Sequence, residues 1–218
     1  MEIETLPPAE IERRSFEIIE SELQQPLDPL LAPIIKRVIH TTADFDYAEN
    51  LAFSPVAVQA GLAALRDKAT IVTDTNMARA GINQQALSQL GCQALCFMAD
   101  ADIASQAREK GLTRATVAMD KAAGLSGRLI FAIGNAPTAL IRLHQLQGAG
   151  RIKPALIIGA PVGFVNVVQA KELILAGETP YIVAKGRKGG SNVAAAIVNA
   201  LLYLLCRERA DMAGQTRI

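Results

Sequence analysis

The sequence predicts an α/β protein: a three-layer α/β/α sandwich around a parallel five-stranded sheet, preceded by N-terminal helices. Three observations carry this expectation. From about residue 50 onward, short apolar runs bounded by Gly, Pro or Asp alternate with stretches of helical periodicity. The runs (Ala69–Thr73, Ala94–Met98, Leu129–Ile133, Ala155–Ile158 and Tyr181–Ala184) lack clean period-two alternation, which is how strands covered on both faces read. Helical stretches lie between the runs, as parallel strands require, and right-handed crossovers follow.

The elements can be taken in order. Ala9–Leu23 follows Pro7-Pro8 and carries Ile11, Phe16, Ile18, Ile19 and Leu23 close to helical spacing. Pro26, Pro29 and Pro33 punctuate the approach to a second helix, in which Ile34, Ile35, Val38 and Ile39 form one apolar face up to His40. Pro55–Arg66, Gln84–Leu90, Ile103–Lys110, Pro137–Gln147 and Val165–Ala176 read as the helices between strands. Ser191–Arg209 closes the chain as a long helix, with Ser191 or Asn192 as its N-cap. Its stretch Val193–Cys206, smooth at Ala194-Ala195-Ala196, reads as buried core or as a dimer interface.

The 218 residues show no repeat, linker or low-complexity segment, so a single domain over 1–218 is expected. A chain of this size buries roughly 70–75% of its unfolded surface, enough for a core without disulfides or metal. That core must be aliphatic, because half the residues are hydrophobic while only 4% are aromatic and Trp is absent. Lys and Arg number 22 against 21 Asp and Glu, so charge gives no reason to expect nucleic acid or an anionic membrane as partner. Cys92, Cys96 and Cys206 make no secreted disulfide pattern, and MEIETLPPAEIERRSFEII lacks an apolar signal region. Val193–Cys206 is short of the roughly 20 residues a bilayer needs and holds Asn199 at its middle. A cytoplasmic protein is expected.

Open parallel sheets bind ligands beyond the carboxyl ends of their strands. The segments there are rich in small and polar residues: Asp74-Thr75-Asn76-Met77, Asp100-Ala101-Asp102, Gly134-Asn135-Ala136-Pro137, Gly159–Gly163 and Lys185–Ser191. Each alone is an ordinary βα connection; together they suggest one broad polar site, whose amides at helix starts suit carboxylate or phosphate. The last segment, KGRKGGSN, adds Lys185, Arg187 and Lys188 to a Gly-Gly pair, and reads as an anion site or as a solvated basic turn. It lacks P-loop order, and neither Gly-x-Gly-x-x-Gly nor Gly-x-Ser-x-Gly occurs, which argues against nucleotide and serine-hydrolase chemistry. His144 reads as surface. His40, at a helix end beside Thr41, Thr42 and Asp44, reads as an acid/base group or as a helix-terminal cap. The cysteines complete no zinc set, and Asp44/Asp46 and Asp100/Asp102 read as loop carboxylates, so no metal site is expected.

Longer strings add information of another kind. They are Arg14-Ser15-Phe16, RVIHTTADFDY around His40, FSP at Phe53–Pro55, TDTNMARAG at Thr73–Gly81 and GLTRA around Arg114. IGNAPTAL at Ile133–Leu140, GAPVGFV at Gly159–Val165 and GRKGGS at Gly186–Ser191 complete the set. In order and over nearly the whole chain, they resemble the precorrin-8X methylmutase family of cobalamin biosynthesis, also met as cobalt-precorrin-8 methylmutase. The resemblance implies an isomerase that moves a methyl group from carbon 11 to carbon 12 of a tetrapyrrole, a 1,5-sigmatropic shift giving hydrogenobyrinate or cobyrinate. It implies a flavodoxin-like fold and a homodimer with active sites near the subunit interface.

By the same resemblance His40 matches the catalytic histidine, and Ser15 and Arg114 match positions that contact substrate. Asp74, Met77, Gly81 and Asn83, together with Arg187, fall in segments bordering that site. The stretch after His40 varies, so Thr41 and Asp44 carry no implied role. An internal migration needs no cofactor, and any cobalt arrives within the substrate. The implied partners are a tetrapyrrole polycarboxylate and a second copy of the chain. Two competing functions are a non-catalytic tetrapyrrole carrier, which would tolerate loss of His40, and a nucleotide-dependent flavodoxin-like enzyme, which would need a phosphate loop.

Overall fold

The computed structural model describes residues 7–215; residues 1–6, part of the stretch read for a signal region, lie outside the described residues. Two helices come first, α1 (Pro8–Glu22) and α2 (Ala32–Thr42), each with proline in its first turn, where an N–H would have no helical acceptor. Then follow α3 (Tyr47–Asn50), β1 (Leu51–Phe53), α4 (Ala57–Arg66), β2 (Thr70–Thr73), α5 (Asn76–Gly81), α6 (Gln84–Leu90) and β3 (Gln93–Leu95). The chain continues through α7 (Ala101–Lys110), α8 (Arg114–Ala122), β4 (Leu129–Ile133), α9 (Pro137–Gly148) and β5 (Leu156–Gly159). It ends with α10 (Val167–Leu175), β6 (Tyr181–Ala184) and α11 (Ser191–Gln215).

The strands form one sheet in the order β1-β6-β5-β4-β2-β3. Every pairing from β6 to β3 is parallel, and β1 runs antiparallel to β6 with Leu51 opposite Ala184. The sheet thus has six strands, not five. All five expected strands are present, but Ala94–Met98 shortens to Gln93–Leu95 because Phe97 accepts the Asp100 N–H and opens a turn. The added strand, β1, is three residues long, too short to show any period.

Both faces of the sheet are covered. Ile130 and Ala132 of β4 point into a core shared with α2, α4, α6 and α11, while Leu129, Phe131 and Ile133 point into a second core with α7, α8, α9 and α10. Helix α11 fills the first core: Val193, Ala194, Ile197, Leu201, Leu202 and Leu205 are each 1% exposed or less, so this apolar face is satisfied within one chain. Burying each large aliphatic side chain is worth roughly 1.5–3 kcal/mol. Among the described residues no helix is long and apolar enough to cross a membrane.

Two helices that bear on the site were not anticipated. Helix α5 starts where a loop was expected, capped by Thr75, whose Oγ1 accepts the Ala78 N–H at 3.0 Å. Helix α8 is capped in the same way by Thr113, which accepts from Thr116 at 3.1 Å.

Candidate active site

Strand β2 lies between β3 and β4, so the chain leaves it toward one side of the sheet and later crosses to the other. The crevice beyond the carboxyl ends of β2 and β4 is where such sheets bind ligands. Here a side chain occupies it. Asp74, directly after β2, is fully buried. Its Oδ1 accepts the Gly134 N–H at 2.8 Å, and its Oδ2 accepts those of Asn135 at 2.8 Å and Ala136 at 2.6 Å. These amides precede α9 and are donors the sequence offered to a substrate carboxylate; the protein supplies that carboxylate itself. Burial pushes the Asp74 carboxyl up from its ordinary range, and the three N–H bonds pull against that.

Asp74 therefore ties two loops together and is out of a substrate's reach in this structure. Gly134 also lets the start of α11 approach the β4 loop, since a Cβ there would sit 2.6 Å from the Ser191 Cα. Thr75 Oγ1 completes the seam at 2.7 Å from Ser191 Oγ.

The loops after β5 and β6 are fused as well. Gly190 donates its N–H to the Ala160 carbonyl at 2.8 Å, and Gly163 donates to that of Arg187 at 3.2 Å. From α10, Lys171, only 1% exposed, donates from Nζ to the carbonyls of Gly186 and Lys188, both at 2.8 Å. Burial lowers this amine to about 8. Lys188 reaches across to Asp44, at 2.8 Å, and to Asp46, which fastens the loop to the segment after α2. The hydrogen bond from Lys188 holds the Asp44 carboxyl below its ordinary range. One of the three cations expected to hold an anion is thus committed internally. Arg187 stays exposed, its guanidinium 5.4 Å over the ring of Phe164, which is itself 81% exposed.

His40 stands exposed in the last turn of α2. The helix end is closed without it: Thr41 and Thr42 donate to the carbonyls of Arg37 and Val38 at 3.0 and 2.8 Å, and Ala43, at φ 52°, donates its N–H to Ile39. The imidazole lies on Phe16 of α1, with centroids 5.3 Å apart and planes 14° from parallel. Phe16 also faces the Arg37 guanidinium at 4.7 Å, and Arg37 lies 5.0 Å over Tyr203 of α11. Glu12 of α1 pairs with Arg37 and so clamps α1 against α2.

Beside this stack a groove of about 230 Å³ runs between α2, α5 and α11, lined by Arg37, Thr41, Gly81, Asn192, Asn199 and Tyr203. Gly81 leaves it open, since a Cβ there would lie 3.0 Å from that of Ala195. Met77, one helical turn earlier on the same side of α5, is 72% exposed. Asn83 is committed inward: its Nδ2 donates to Tyr203 Oη at 3.0 Å and its Oδ1 accepts the Ala86 N–H at 2.9 Å. Asn199 bridges the turn, accepting the Asn83 N–H on Oδ1 and donating from Nδ2 to the Gly81 carbonyl, both at 2.8 Å. A second concavity, about 460 Å³, adjoins Phe16, Arg37 and Tyr203. A wider one of about 750 Å³, between the end of α1 and β1, holds none of the expected site residues.

The fold thus assembles Ser15, His40, Met77, Gly81 and Asn83 on the side formed by α1, α2, α5 and α11, with Arg187 on the adjoining loop. The Ser15 hydroxyl donates to the Ile11 carbonyl at 2.8 Å, next to the Phe16 that carries His40. Arg114 does not join them. It opens α8 in the opposite helical layer, exposed, where Thr113 Oγ1 lies 2.9 Å from Thr138 Oγ1 of α9. Sequence reasoning passed over Lys171, whose burial no local pattern marks, and read Asn199 only as a polar interruption. Asp100 and Asp102 both bind Lys121, and His144 is exposed.

Comparison with known proteins bears on this site. The family model for CbiC, precorrin-8X methylmutase, matches residues 10–204. The chain is 44% identical over 207 residues to the cobalt-precorrin-8 methylmutase of Salmonella typhimurium, covering 91% of this chain and 96% of that protein. It is 41% identical over 201 residues to the cobalt-precorrin-8 methylmutase of Priestia megaterium, covering 92% and 89% respectively. The crystal structure of the precorrin-8X methylmutase of Thermus thermophilus superposes with a TM-score of 0.84 at 38% identity, over 92% of this chain and 97% of that one. With a match over most of its length and a shared fold, the chain belongs to the precorrin-8X methylmutase family.

Proposed function

We propose that this protein is an isomerase of cobalamin biosynthesis, moving a methyl group from carbon 11 to carbon 12 of precorrin-8X or cobalt-precorrin-8. Family membership supports the reaction class, and the observation that carries the mechanism is His40: an exposed imidazole oriented by an aromatic ring and not used as a cap. The bond from the methyl to carbon 11 breaks as the bond to carbon 12 forms, so electrons balance within the substrate. No redox cofactor or group carrier is required, and cobalt, where present, travels inside the pigment.

His40 lends a proton or hydrogen bond to a pyrroline nitrogen, which makes the neighbouring carbon electrophilic toward the methyl, and recovers the proton afterwards. General acid catalysis of this kind contributes typically about 10²–10⁴-fold. Phe16, stacked on the imidazole, fixes the plane of the ring. Carboxylate arms of the substrate take Arg114 and Arg187, whose guanidiniums suit bidentate pairing. Asp74, Gly81 and Asn83 shape the site, Met77 offers apolar contact and Ser15 an acceptor oxygen.

The groove near His40 measures about 230 Å³, below the roughly 300–1,000 Å³ of sites that enclose drug-sized ligands. With Arg114 in the other layer, we read the working unit as a homodimer in which a second copy completes the enclosure. Leaving out β1, the strand order corresponds to 2-1-3-4-5, and we read the fold as a flavodoxin-like domain spanning 1–218 with one added edge strand. A cytoplasmic location fits such a biosynthetic step.

The direct test is incubation with purified precorrin-8X and its cobalt form, following the spectral change of the rearranged chromophore. No change with either pigment would refute the function. His40→Ala is expected to bind pigment and lose about 10²–10⁴-fold in turnover; near-normal turnover would remove its role and favour a carrier. Arg114→Ala is expected to weaken binding more than it slows bound turnover, and unchanged binding would exclude that contact. Sedimentation checks the dimer.

A further inference from the structure

Lys171 is a charged side chain in the interior with no acid beside it: among the described residues both of its hydrogen bonds go to neutral carbonyls. Burying an ammonium group carries a desolvation penalty, and a methionine would fill the same path along α10 without it. Both carbonyls belong to one loop, at Gly186 and Lys188. We propose that Lys171 is a positioning residue for substrate binding: drawing these two carbonyls inward, it turns Arg187 and the amides of Arg187 and Gly189 outward to receive a carboxylate arm of the pigment. This rests on the function proposed above and names the loop geometry that serves it.

The geometry follows from peptide planarity. Across a trans peptide, a carbonyl and the next N–H point in opposite directions. With the carbonyls of Gly186 and Lys188 aimed at Nζ, the N–H groups of Arg187 and Gly189 point away from it. The loop holds this pose from both flanks. Gly189 lies so near β5's loop that a Cβ would come within 2.2 Å of the Ala160 oxygen, and Gly190 donates to that same oxygen at 2.8 Å. Lys188 is anchored on Asp44 and Asp46, which places the loop beside the segment that follows His40. Arg187, between the two carbonyls, has its guanidinium over Phe164. Lys171 thus sets where Arg187 stands relative to the imidazole, and its charge, not cancelled by a neighbouring acid, favours an anion on the loop.

The test is a double-mutant cycle on pigment affinity, measured by absorbance titration, with single-turnover rates at saturation. Lys171→Met is expected to weaken binding about tenfold or more in the wild-type background but less than about threefold in Arg187→Ala, because coupled residues are non-additive. The saturated rate is expected to stay within about threefold, a split between binding and rate that general unfolding does not produce. Lys171→Gln, which keeps an N–H donor group but is shorter and uncharged, is expected to lose an intermediate amount and serves if the Met variant does not fold. Wild-type affinity in a folded Lys171→Met or Lys171→Gln, or a loss undiminished in Arg187→Ala, would overturn the inference. Failure of the wild type itself to bind the pigment would overturn the function on which it rests.

Discussion

Replacing Asp74 by asparagine keeps the shape and removes the charge, and the structure sets the expected result. The remaining oxygen can accept the Gly134 N–H as Oδ1 does now, at 2.8 Å. The new amide nitrogen then directs its own hydrogens at the N–H groups of Asn135 and Ala136, which now bond to Oδ2. Two bonds to a charged acceptor, about 1.5–3 kcal/mol each, become donor–donor contacts. The relief of the burial penalty that pushes this carboxyl up acts in the opposite sense and offsets part of that loss. The net expectation is a loss of about 2–4 kcal/mol, and at about 2–4 °C per kcal/mol for a chain of this size the melting temperature falls by roughly 5–15 °C. Asp74→Ala, which strands all three amides, is expected to fall further. Calorimetry or circular dichroism reads the shift, and pigment titration reads the loosened seam between the β2 and β4 loops. An Asp74→Asn protein melting within about 2 °C of wild type would show that the carboxylate does not hold these loops.

Two further outcomes are expected. Asn199→Leu keeps the branched shape but leaves the Asn83 N–H and the Gly81 carbonyl without their partner, so it is expected to destabilise by about 2–4 kcal/mol in a denaturant melt; no change in midpoint would mean that water replaces both bonds. Lys171 has an ordinary value of 10.5 and is lowered to about 8 by burial, so the unfolded chain binds that proton more tightly. The penalty is full below about pH 8 and fades as pH rises toward 10.5, which adds on the order of 3 kcal/mol of stability across that window. The wild-type unfolding free energy minus that of Lys171→Met should climb by this amount from pH 8 to 10.5, and a difference flat with pH would refute the shift.

Much of the fold is legible along the chain because its signals are local. Leu129–Ile133 and Tyr181–Ala184 are strands with the expected ends, since an apolar run bounded by turn residues is a statement about neighbours. The three-residue β1 offers no such statement and exists only because β6 presents an edge for it. Helices α5 and α8 left weak marks, a threonine accepting from the third residue on, in stretches of only six and nine residues. His40 stood out as the end of an apolar helix face, and the match of long strings such as IGNAPTAL pointed to the reaction class.

Composition and periodicity by themselves determined the layered α/β plan, the aliphatic core and the carboxyl edge on which polar residues gather. Only the tertiary structure decided which of those residues remain available to a ligand. Asp74 meets Gly134 from 60 residues away, and Lys188 meets Asp44 from 144. Whether an amide or a cation is open to substrate depends on what the fold brings within 3 Å of it, and that distance has no trace in the order of neighbouring residues.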